Sequence, residues 1–310
     1  MADRLDLEVC LGRGLRLRSP VMVASGTFGY GFDAPLVDRS ALGAIVTKGT
    51  TSRPREGNAP TRIAETPSGM LNAIGLQNPG AEHVAREYAP QWATWDVPVI
   101  VNVAGDSVAD YVEVARRLDG VAGVAGLELN ISCPNVANGL QFGLDSRLAG
   151  DLTAAVRRAT RLPLIIKLTP NVTDIVAVGR AVEAAGADAV SAINTLVGMA
   201  IDVRQRRPIL SRGSGGVSGP AIKPLALHAV WQLSAELGIP VIGIGGIMTP
   251  SDALEFLLAG AVAVQLGTVN YMRPQSAREV HDGIAAYLHE HEFDDLRALP
   301  IRGARVMANA

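Results

Sequence analysis

Two lysines stand at the ends of short apolar segments, and this placement predicts a ligand site. Lys48 follows "AIVT", and Lys167 follows "LII". A buried ammonium is costly unless it is paired or serves a ligand, whereas a segment shifted by one residue would let a lysine simply reach water. Asn102, Asn130 and Asn194 hold equivalent positions at the ends of other apolar segments. Two lysines and three asparagines in this pattern favour an anionic or electron-rich ligand between them.

A cysteine with polar neighbours offers a base or a nucleophile near these groups. Cys133 lies in "NISCPN", directly after an apolar segment and before a proline that fixes the loop. A thiol, with a pKa of about 8.5, acts as a general base when its thiolate is stabilised. An isolated cysteine is more often inert, which is how we interpret Cys10. The five histidines form no triad with a nucleophile, so a Cys/His hydrolase is disfavoured.

Glycines in the last third of the chain predict a phosphate cradle. The segments "GIGG" (Gly243–Gly246) and "LGT" (Leu266–Thr268) follow apolar runs, and "GGVSGP" adds Gly219. Glycine lets backbone N–H groups approach phosphate oxygens, although the same residues also suit tight strand–helix packing. The pattern fits flavin mononucleotide (FMN) and a sugar phosphate equally well. The chain lacks a GxGxxG segment in a Rossmann context, which argues against a nicotinamide dinucleotide fold.

A repeated unit of strand and helix would position these residues. Eight short apolar segments are predicted as strands: Val21–Ser25, Ala44–Lys48, Pro98–Val103, Gly126–Ile131, Leu164–Leu168, Ala189–Asn194, Val241–Ile244 and Ala261–Leu266. Each is apolar on both faces, which is typical of a parallel sheet covered by helices. Amphipathic helices are predicted at Val108–Leu118, Ser146–Thr160, Asp174–Ala185, Pro224–Leu237 and Pro250–Ala259. Strict alternation over eight strands predicts an α/β fold, a (β/α)8 TIM barrel rather than an open doubly wound sheet.

Two connections are longer than a helix with two tight loops requires. Residues 49–97 and 195–240 form long insertions after strands 2 and 6, and the first carries a helix near Ala81–Ala93. Both follow the carboxyl ends of strands, where barrel enzymes build their sites. The length of 310 residues allows two domains, but no linker divides the chain. We therefore predict a single TIM-barrel domain over residues 1–310.

Composition disfavours several other functions. The 28 basic and 30 acidic side chains leave a net charge of −2, without a basic block that would attract nucleic acid. Two cysteines cannot build a disulfide framework, and no Cys/His cluster has metal-ligand spacing. Met1–Glu8 lacks the apolar core of a secretory signal, and no apolar run approaches the ~20 residues that span a membrane. We expect a cytoplasmic protein without a metal site.

Four segments, in the right order and spread over nearly the whole chain, resemble the class 1 dihydroorotate dehydrogenases. They are "SGMLNAIGLQNPG" (Ser68–Gly80), "NISCPN" (Asn130–Asn135), "GGVSGPAIKP" (Gly215–Pro224) and "GIGGI" (Gly243–Ile247). The cysteine separates class 1 from the membrane-associated class, which uses serine. The form "MLNAIGLQN" is more similar to the NAD-linked 1B class than to the fumarate-linked 1A class.

The resemblance implies FMN-dependent oxidation of (S)-dihydroorotate to orotate in pyrimidine (UMP) biosynthesis. Cys133 would remove the C5 proton while a hydride passes from C6 to flavin N5. The positions that match the family's substrate contacts are Lys48, Asn72, Ala73, Ile74, Gly75, Leu76, Asn130, Asn135, Asn194 and Thr195. Those that match its flavin contacts are Ser25, Lys48, Gly49, Asn102, Asn130, Lys167, Ile193, Gly219, Gly245, Gly246, Gly267 and Thr268.

The resemblance also implies a partner. In the 1B class a second subunit, which carries FAD and a [2Fe–2S] cluster, relays electrons to NAD. The catalytic subunit forms a homodimer, and the second subunit joins this homodimer in a heterotetramer. Four cysteines normally hold such a cluster, and this chain has two. The loop Ala137–Gly143 is one residue shorter than the 1B pattern and also differs from the 1A pattern, so a fumarate-linked enzyme stays an alternative.

Two other functions are compatible with some of the same residues. A phosphate-binding lyase or aldolase would form a Schiff base on Lys48 or Lys167, and it would be colourless. A non-catalytic flavin-binding subunit would keep the barrel, but it would have no need of Cys133 together with both lysines.

Overall fold

The structure is a computed structural model that describes residues 5–32, 38–132 and 142–299. Within these ranges the strands are β1 (Val9–Cys10), β2 (Arg16–Leu17), β3 (Val21–Val23), β4 (Ala44–Val46), β5 (Ile63–Thr66), β6 (Gly69–Asn72), β7 (Val99–Val103), β8 (Val124–Asn130), β9 (Leu164–Leu168), β10 (Ala189–Ala192), β11 (Leu196–Gly198), β12 (Ile201–Asp202), β13 (Arg207–Pro208), β14 (Gly215–Ser218), β15 (Val241–Ile244) and β16 (Ala263–Leu266). The helices are α1 (Ala81–His83), α2 (Ala89–Trp92), α3 (Val108–Leu118), α4 (Ser146–Arg157), α5 (Ile175–Ala184), α6 (Lys223–Glu236), α7 (Pro250–Leu258), α8 (Val269–Met272) and α9 (Ser276–Glu290). A π-helical turn (Val84–Tyr88) joins α1 to α2.

Eight parallel strands close into a barrel in the order β10-β15-β16-β3-β4-β7-β8-β9. All eight predicted strands take part, so the predicted (β/α)8 TIM barrel is confirmed. Four predictions ran past the carboxyl end of the strand, since β3 ends at Val23 rather than Ser25 and β8 ends at Asn130 rather than Ile131. β4 ends at Val46 rather than Lys48, and β10 ends at Ala192 rather than Asn194. At these positions the chain leaves the sheet and turns toward the insertions.

Helices follow the barrel strands in the alternation that the sequence predicts. α3 has the predicted bounds, and α4 to α7 differ from their predicted bounds by one to three residues at an end. Side chains mark two of the starts, because Ser107 and Thr249 each form a capping box with an aspartate three residues later. α9, which the sequence analysis did not delimit, packs against α7 and β3.

The inside of the barrel is apolar at the amino ends of the strands. Its side chains are Met22, Ala44, Val46, Ile100, Ile165, Ala189, Ile242 and Ala263. The antiparallel hairpin β1–β2 packs on them through Val9, Leu11, Leu15 and Leu17. A second apolar layer, between the strands and the helices, completes the core. The hairpin therefore covers the end of the barrel away from the carboxyl ends of the strands.

The two insertions meet in one antiparallel sheet of the order β11-β14-β6-β5. β5 and β6 come from the insertion after the second barrel strand, and β11 and β14 come from the insertion after the sixth. Gly216 of β14 lies opposite Asn72 of β6, which joins segments 144 residues apart in sequence. In the described ranges no helix is both long and apolar enough to cross a membrane.

Candidate functional site

A cavity of about 950 Å³ lies between the carboxyl ends of the barrel strands and the antiparallel sheet. Of the residues predicted from the sequence, those that line it are Ser25, Lys48, Gly49, Asn72, Ala73, Ile74, Gly75, Leu76, Asn102, Asn130, Lys167, Ile193, Asn194, Thr195, Gly219, Gly245, Gly246, Gly267 and Thr268. Cys133 and Asn135 fall outside the described residues. Every predicted site residue that the structure describes therefore lies at this one cavity.

The last described residues before Cys133 lie at the cavity wall. Asn130 and Ser132 line the cavity, and the backbone N–H of Ser132 donates to Asn130 Oδ1 at 3.1 Å. The hydroxyl of Tyr111 donates to the backbone oxygen of Asn130 at 2.6 Å. These contacts fix the last described turn before Cys133 against α3 and β8.

The two lysines of the site differ in their surroundings. Lys167 is 4% exposed, and its Nζ lies 3.2 Å from Ser25 Oγ and 3.8 Å from Glu128 Oε1. Lys48 is half-buried at the end of the second barrel strand. Burial lowers the pKa of the Lys48 ammonium below its ordinary value, and the nearby positive charge of Arg62 lowers it further. An anion bound beside Lys48 would reverse this cost, because an opposite charge favours the ammonium form.

Hydrogen bonds fix the orientation of the asparagines. Asn194 Nδ2 donates to Asn130 Oδ1 at 3.0 Å, and the backbone N–H of Thr195 donates to Asn194 Oδ1 at 2.9 Å. On the sheet, Asn72 Nδ2 donates to the backbone oxygen of Gly216 at 3.3 Å. Each amide thus presents a fixed edge to the cavity, which suits the recognition of a planar ligand with several carbonyl and N–H groups.

The segment after β6 crosses the cavity in a conformation that its neighbours enforce. Gly75 has a φ of +76° and Leu76 a φ of +54°. A Cβ on Gly75 would lie 2.7 Å from Asn58, so the segment accepts only glycine there. The side chain of Asn58 in turn donates to the backbone oxygen of Ala73 at 2.9 Å, and its backbone N–H donates to that of Ile74 at the same distance. Asn58 was not predicted from the sequence, which gives no signal for this contact.

The glycines of the predicted cradle form a tightly packed wall. Gly246 has a φ of +73°, and a Cβ there would lie 2.7 Å from Lys223 Cβ and 2.8 Å from the Lys223 backbone nitrogen. A Cβ on Gly245 would lie 2.7 Å from Ala226 Cβ, and one on Gly219 would lie 2.7 Å from Gly69 Cα. The glycines therefore satisfy the packing alternative that the sequence offered, and their position is compatible with the phosphate alternative. They pack closely against α6 and the sheet, and they also face the cavity.

An acidic side chain that was not among the predicted site residues holds the loop between β15 and α7. Asp252 accepts hydrogen bonds from the backbone N–H groups of Met248 and Thr249, at 2.9 and 2.8 Å. Lys223 Nζ donates to Asp252 Oδ1 at 2.6 Å. Burial alone would raise the pKa of Asp252, but the hydrogen bond from Lys223 and those from the backbone outweigh it and lower the pKa. The capping pattern of Thr249 with Asp252 was the available signal.

A second acid missed from the sequence is Glu128, which is fully buried inside the barrel. It accepts hydrogen bonds from Asn102 Nδ2 at 2.8 Å, from Ser191 Oγ at 2.9 Å and from Gln265 Nε2 at 2.7 Å. An acid within the apolar segment "GLELN" was the signal, since glutamate is rarely buried unless it is paired.

No group of His, Cys, Asp and Glu side chains within residues 5–32, 38–132 and 142–299 is arranged to hold a metal ion. The arrangement instead offers a large cavity with a buried ammonium, oriented amides and a glycine wall. Such a cavity suits a planar cofactor with a phosphate, together with a small polar substrate.

Comparisons with known proteins agree with this arrangement. A family model described as dihydroorotate dehydrogenase matches residues 7–288. The protein named "Dihydroorotate dehydrogenase B (NAD(+)), catalytic subunit" from Desulforamulus reducens is 52% identical over 298 residues, which cover 96% of this chain and 98% of that protein. The proteins of the same name from Geotalea daltonii and Pelobacter propionicus are 54% identical over 296 residues and 55% identical over 288 residues. They cover 95% and 92% of this chain, and 97% and 94% of their own lengths.

Proposed function

The chain belongs to the dihydroorotate dehydrogenase family, and from this membership we propose that it oxidises (S)-dihydroorotate to orotate in pyrimidine biosynthesis. The observation that carries the proposal is the convergence of every described residue predicted for the reaction on one cavity. The residues come from the carboxyl ends of all eight barrel strands or from the sheet above them, and they are far apart in sequence.

The cavity fits FMN on the observations above. Gly219, Gly245 and Gly246 line the cavity and have no side chain, which suits the approach of a phosphate to their backbone. The buried ammonium of Lys167 suits a ring system that gains negative charge on reduction. When bound, FMN would supply the acceptor for the hydride that leaves C6 of the substrate.

The chain's own residues would bind the substrate and take its proton. Lys48 would pair with the substrate anion, while Asn72, Asn130 and Asn194 would hold the edges of its ring. Cys133, as a thiolate, would remove the C5 proton, so that the electron pair of that bond forms the C5–C6 double bond of orotate. Contact of the segment Asn72–Leu76 with the substrate would exclude water from the reacting carbons.

We also propose that NAD is the final electron acceptor and that a second subunit relays the electrons. The relatives described above are named as NAD⁺-linked catalytic subunits, and such a name implies another subunit. The chain carries two cysteines, too few for an iron–sulfur cluster of its own. The partner would be an iron–sulfur FAD electron-transfer subunit, joined to a homodimer of this chain in a heterotetramer.

The visible spectrum of the purified chain tests the proposal. We expect a yellow protein whose flavin is bleached when dihydroorotate is added without oxygen. A flavin that stays oxidised would overturn the proposed function. A colourless protein that borohydride traps with a sugar phosphate would instead support a lyase or an aldolase.

A further inference from the structure

A carboxylate lies beneath the floor of the cavity, and the proposed reaction has not yet used it. Glu128 projects from β8 into the barrel, where its contacts reach Asn102 on β7, Ser191 on β10 and Gln265 on β16. β16 stands across the barrel from β8, four strands away around the ring. The side chain of Glu128 therefore spans the barrel interior just above its apolar end.

The partners of Glu128 are those that a carboxylate requires. Asn102, Ser191 and Gln265 each donate to it, and Lys167 Nζ lies 3.8 Å from its Oε1. A carboxylate accepts four or more hydrogen bonds, whereas a protonated acid would also require an acceptor. The donor set thus matches the hydrogen bonds that a carboxylate accepts.

Two of these partners are cavity residues. Lys167 and Asn102 both line the cavity, and both are at least 96% buried. A buried ammonium requires a counter-charge, and Glu128 is the carboxylate recorded within 4 Å of Lys167 among the described residues. Glu128 also fixes the amide of Asn102, whose Nδ2 it holds at 2.8 Å. It therefore acts on both residues from the side away from the ligand.

We propose that Glu128 is a positioning residue that sets how much positive charge Lys167 brings to the bound cofactor. This inference rests on the proposed function, because it assumes that FMN occupies the cavity above Lys167. Reduction of a flavin adds negative charge to its ring, so Lys167 favours the reduced form and Glu128 opposes it. The pair together holds the reduction potential below the value that Lys167 alone would give.

The test is the reduction potential of flavin bound to Glu128→Gln. This substitution removes the charge and keeps the shape. Gln265 Oε1 is buried without a hydrogen-bond partner, so the Gln265 amide can turn over to accept from the new amide nitrogen. We expect the ratio of reduced to oxidised flavin at a fixed potential to rise at least tenfold, a shift of about 30 mV for two electrons. An unchanged or lower potential would overturn the proposal.

Two further variants separate charge from packing. Glu128→Asp keeps the charge but withdraws it from Lys167 by one methylene, so the same ratio should rise by less, about twofold to fivefold. If Glu128→Gln does not retain flavin, the test rests on Glu128→Asp. A rise of less than twofold in its ratio of reduced to oxidised flavin would then overturn the proposal. Ser191→Ala removes a donor to the same carboxylate and leaves its charge. A rise in that control equal to the rise in Glu128→Gln would attribute the shift to packing and overturn the proposal.

Failure of this inference differs from failure of the proposed function. If the wild-type chain bound no flavin, or if dihydroorotate left the flavin oxidised, the function itself would be wrong. If dihydroorotate reduces the wild-type flavin and Glu128→Gln has the wild-type potential, only the role of Glu128 is wrong.

Discussion

The ammonium groups of the two cavity lysines differ in how the fold stabilises them. Lys167 is almost fully buried, and the Glu128 carboxylate balances it within the barrel. Lys48 is half-buried beside the positive charge of Arg62, so its ionised form is disfavoured until an anion binds. A group that costs stability in the empty protein and gains it from the ligand is typical of a binding site.

Cys133 is the residue on which the proposed proton transfer depends. Cys133→Ser and Cys133→Ala should slow bleaching of the flavin by dihydroorotate about 10²–10⁴-fold, the usual contribution of a general base. Bound flavin should remain, because the cradle glycines lie on other loops. Stopped-flow absorbance measures both properties. Cys10→Ser alters the exposed free thiol and serves as the matched control. Wild-type bleaching rates in both Cys133 variants would remove the assignment.

Lys48 should lower the stability of the empty protein and strengthen the binding of the substrate. Lys48→Met removes a disfavoured charge, so the melting temperature of the flavin-free protein should stay the same or rise. Without the charged partner, kcat/KM for dihydroorotate should fall about 100-fold, as for other truncated charge pairs. A melting temperature several degrees lower would show that the ammonium stabilises the empty protein.

The pH dependence of stability tests the same residue. The folded-state pKa of Lys48 is lowered, while that of the unfolded chain stays near 10.5. Between these two values the unfolded state binds more protons, so the free energy of unfolding rises with pH. Wild type should therefore gain stability relative to Lys48→Met as the pH increases toward 10.5. Urea titrations at several pH values measure this difference, and a constant difference would contradict the lowered pKa.

Sequence patterns identified some residues of the site and missed others for a physical reason. Lys48 and Lys167 were visible because each places a charge at the end of an apolar segment. Glu128 interrupts an apolar strand, but its partners Ser191 and Gln265 come from distant strands. Only the closed barrel brings these three side chains together. A sequence gives the cost of burying an acid, but it does not show what offsets that cost.

At the scale of elements, the loop after β15 links the glycine wall to α6. Asp252 accepts hydrogen bonds from the loop backbone and from Lys223 at the start of α6. Gly246 lies against the backbone of the same lysine. The loop, the first turn of α7 and the first turn of α6 thus form one rigid corner of the cavity.

This corner predicts that alanine has different effects at two glycines with the same φ. Gly246 and Gly120 both have a φ of +73°, but a Cβ on Gly120 would meet nothing within 4 Å. Alanine at either position should cost about 1–3 kcal/mol of stability through backbone strain. Gly246→Ala should also displace the loop from Lys223 and weaken FMN binding at least tenfold, whereas Gly120→Ala should bind FMN normally. Fluorescence titration of flavin-free protein with FMN measures both affinities, and equal affinities would exclude the glycine wall from cofactor binding.

The barrel elements could be predicted from hydrophobic periodicity, but the sheet above them could not. β7, β9 and β15 are buried along their whole length and are apolar except for Asn102 and Lys167, and that pattern requires burial on both faces. β5 and β14 are only partly buried and contain polar or glycine residues, so their strand propensity is weak. Pairing with other strands, rather than local sequence, makes these segments extended.

At the scale of the whole molecule, the cavity is a product of two insertions that are distant in sequence. Strand β14 pairs with β6 on one side and with β11 on the other. Met70 and Val197 of this sheet line the cavity opposite the barrel. The barrel supplies the buried charges, and the insertions supply the cover. The length that first allowed two domains is thus partly used to cover the mouth of one barrel.

The identity of the final electron acceptor depends on whether a second subunit works with this chain. Of the chain's two cysteines, Cys10 is exposed and free, and four thiolates are normally required for an iron–sulfur cluster. The chain alone should therefore let dihydroorotate bleach its flavin but reduce NAD⁺ at a negligible rate. Addition of a co-purified iron–sulfur FAD subunit should restore steady NAD⁺ reduction, followed as NADH absorbance. The matched control is fumarate with the chain alone. Efficient fumarate reduction would identify a fumarate-linked enzyme, since electrons would then leave the flavin without any second subunit.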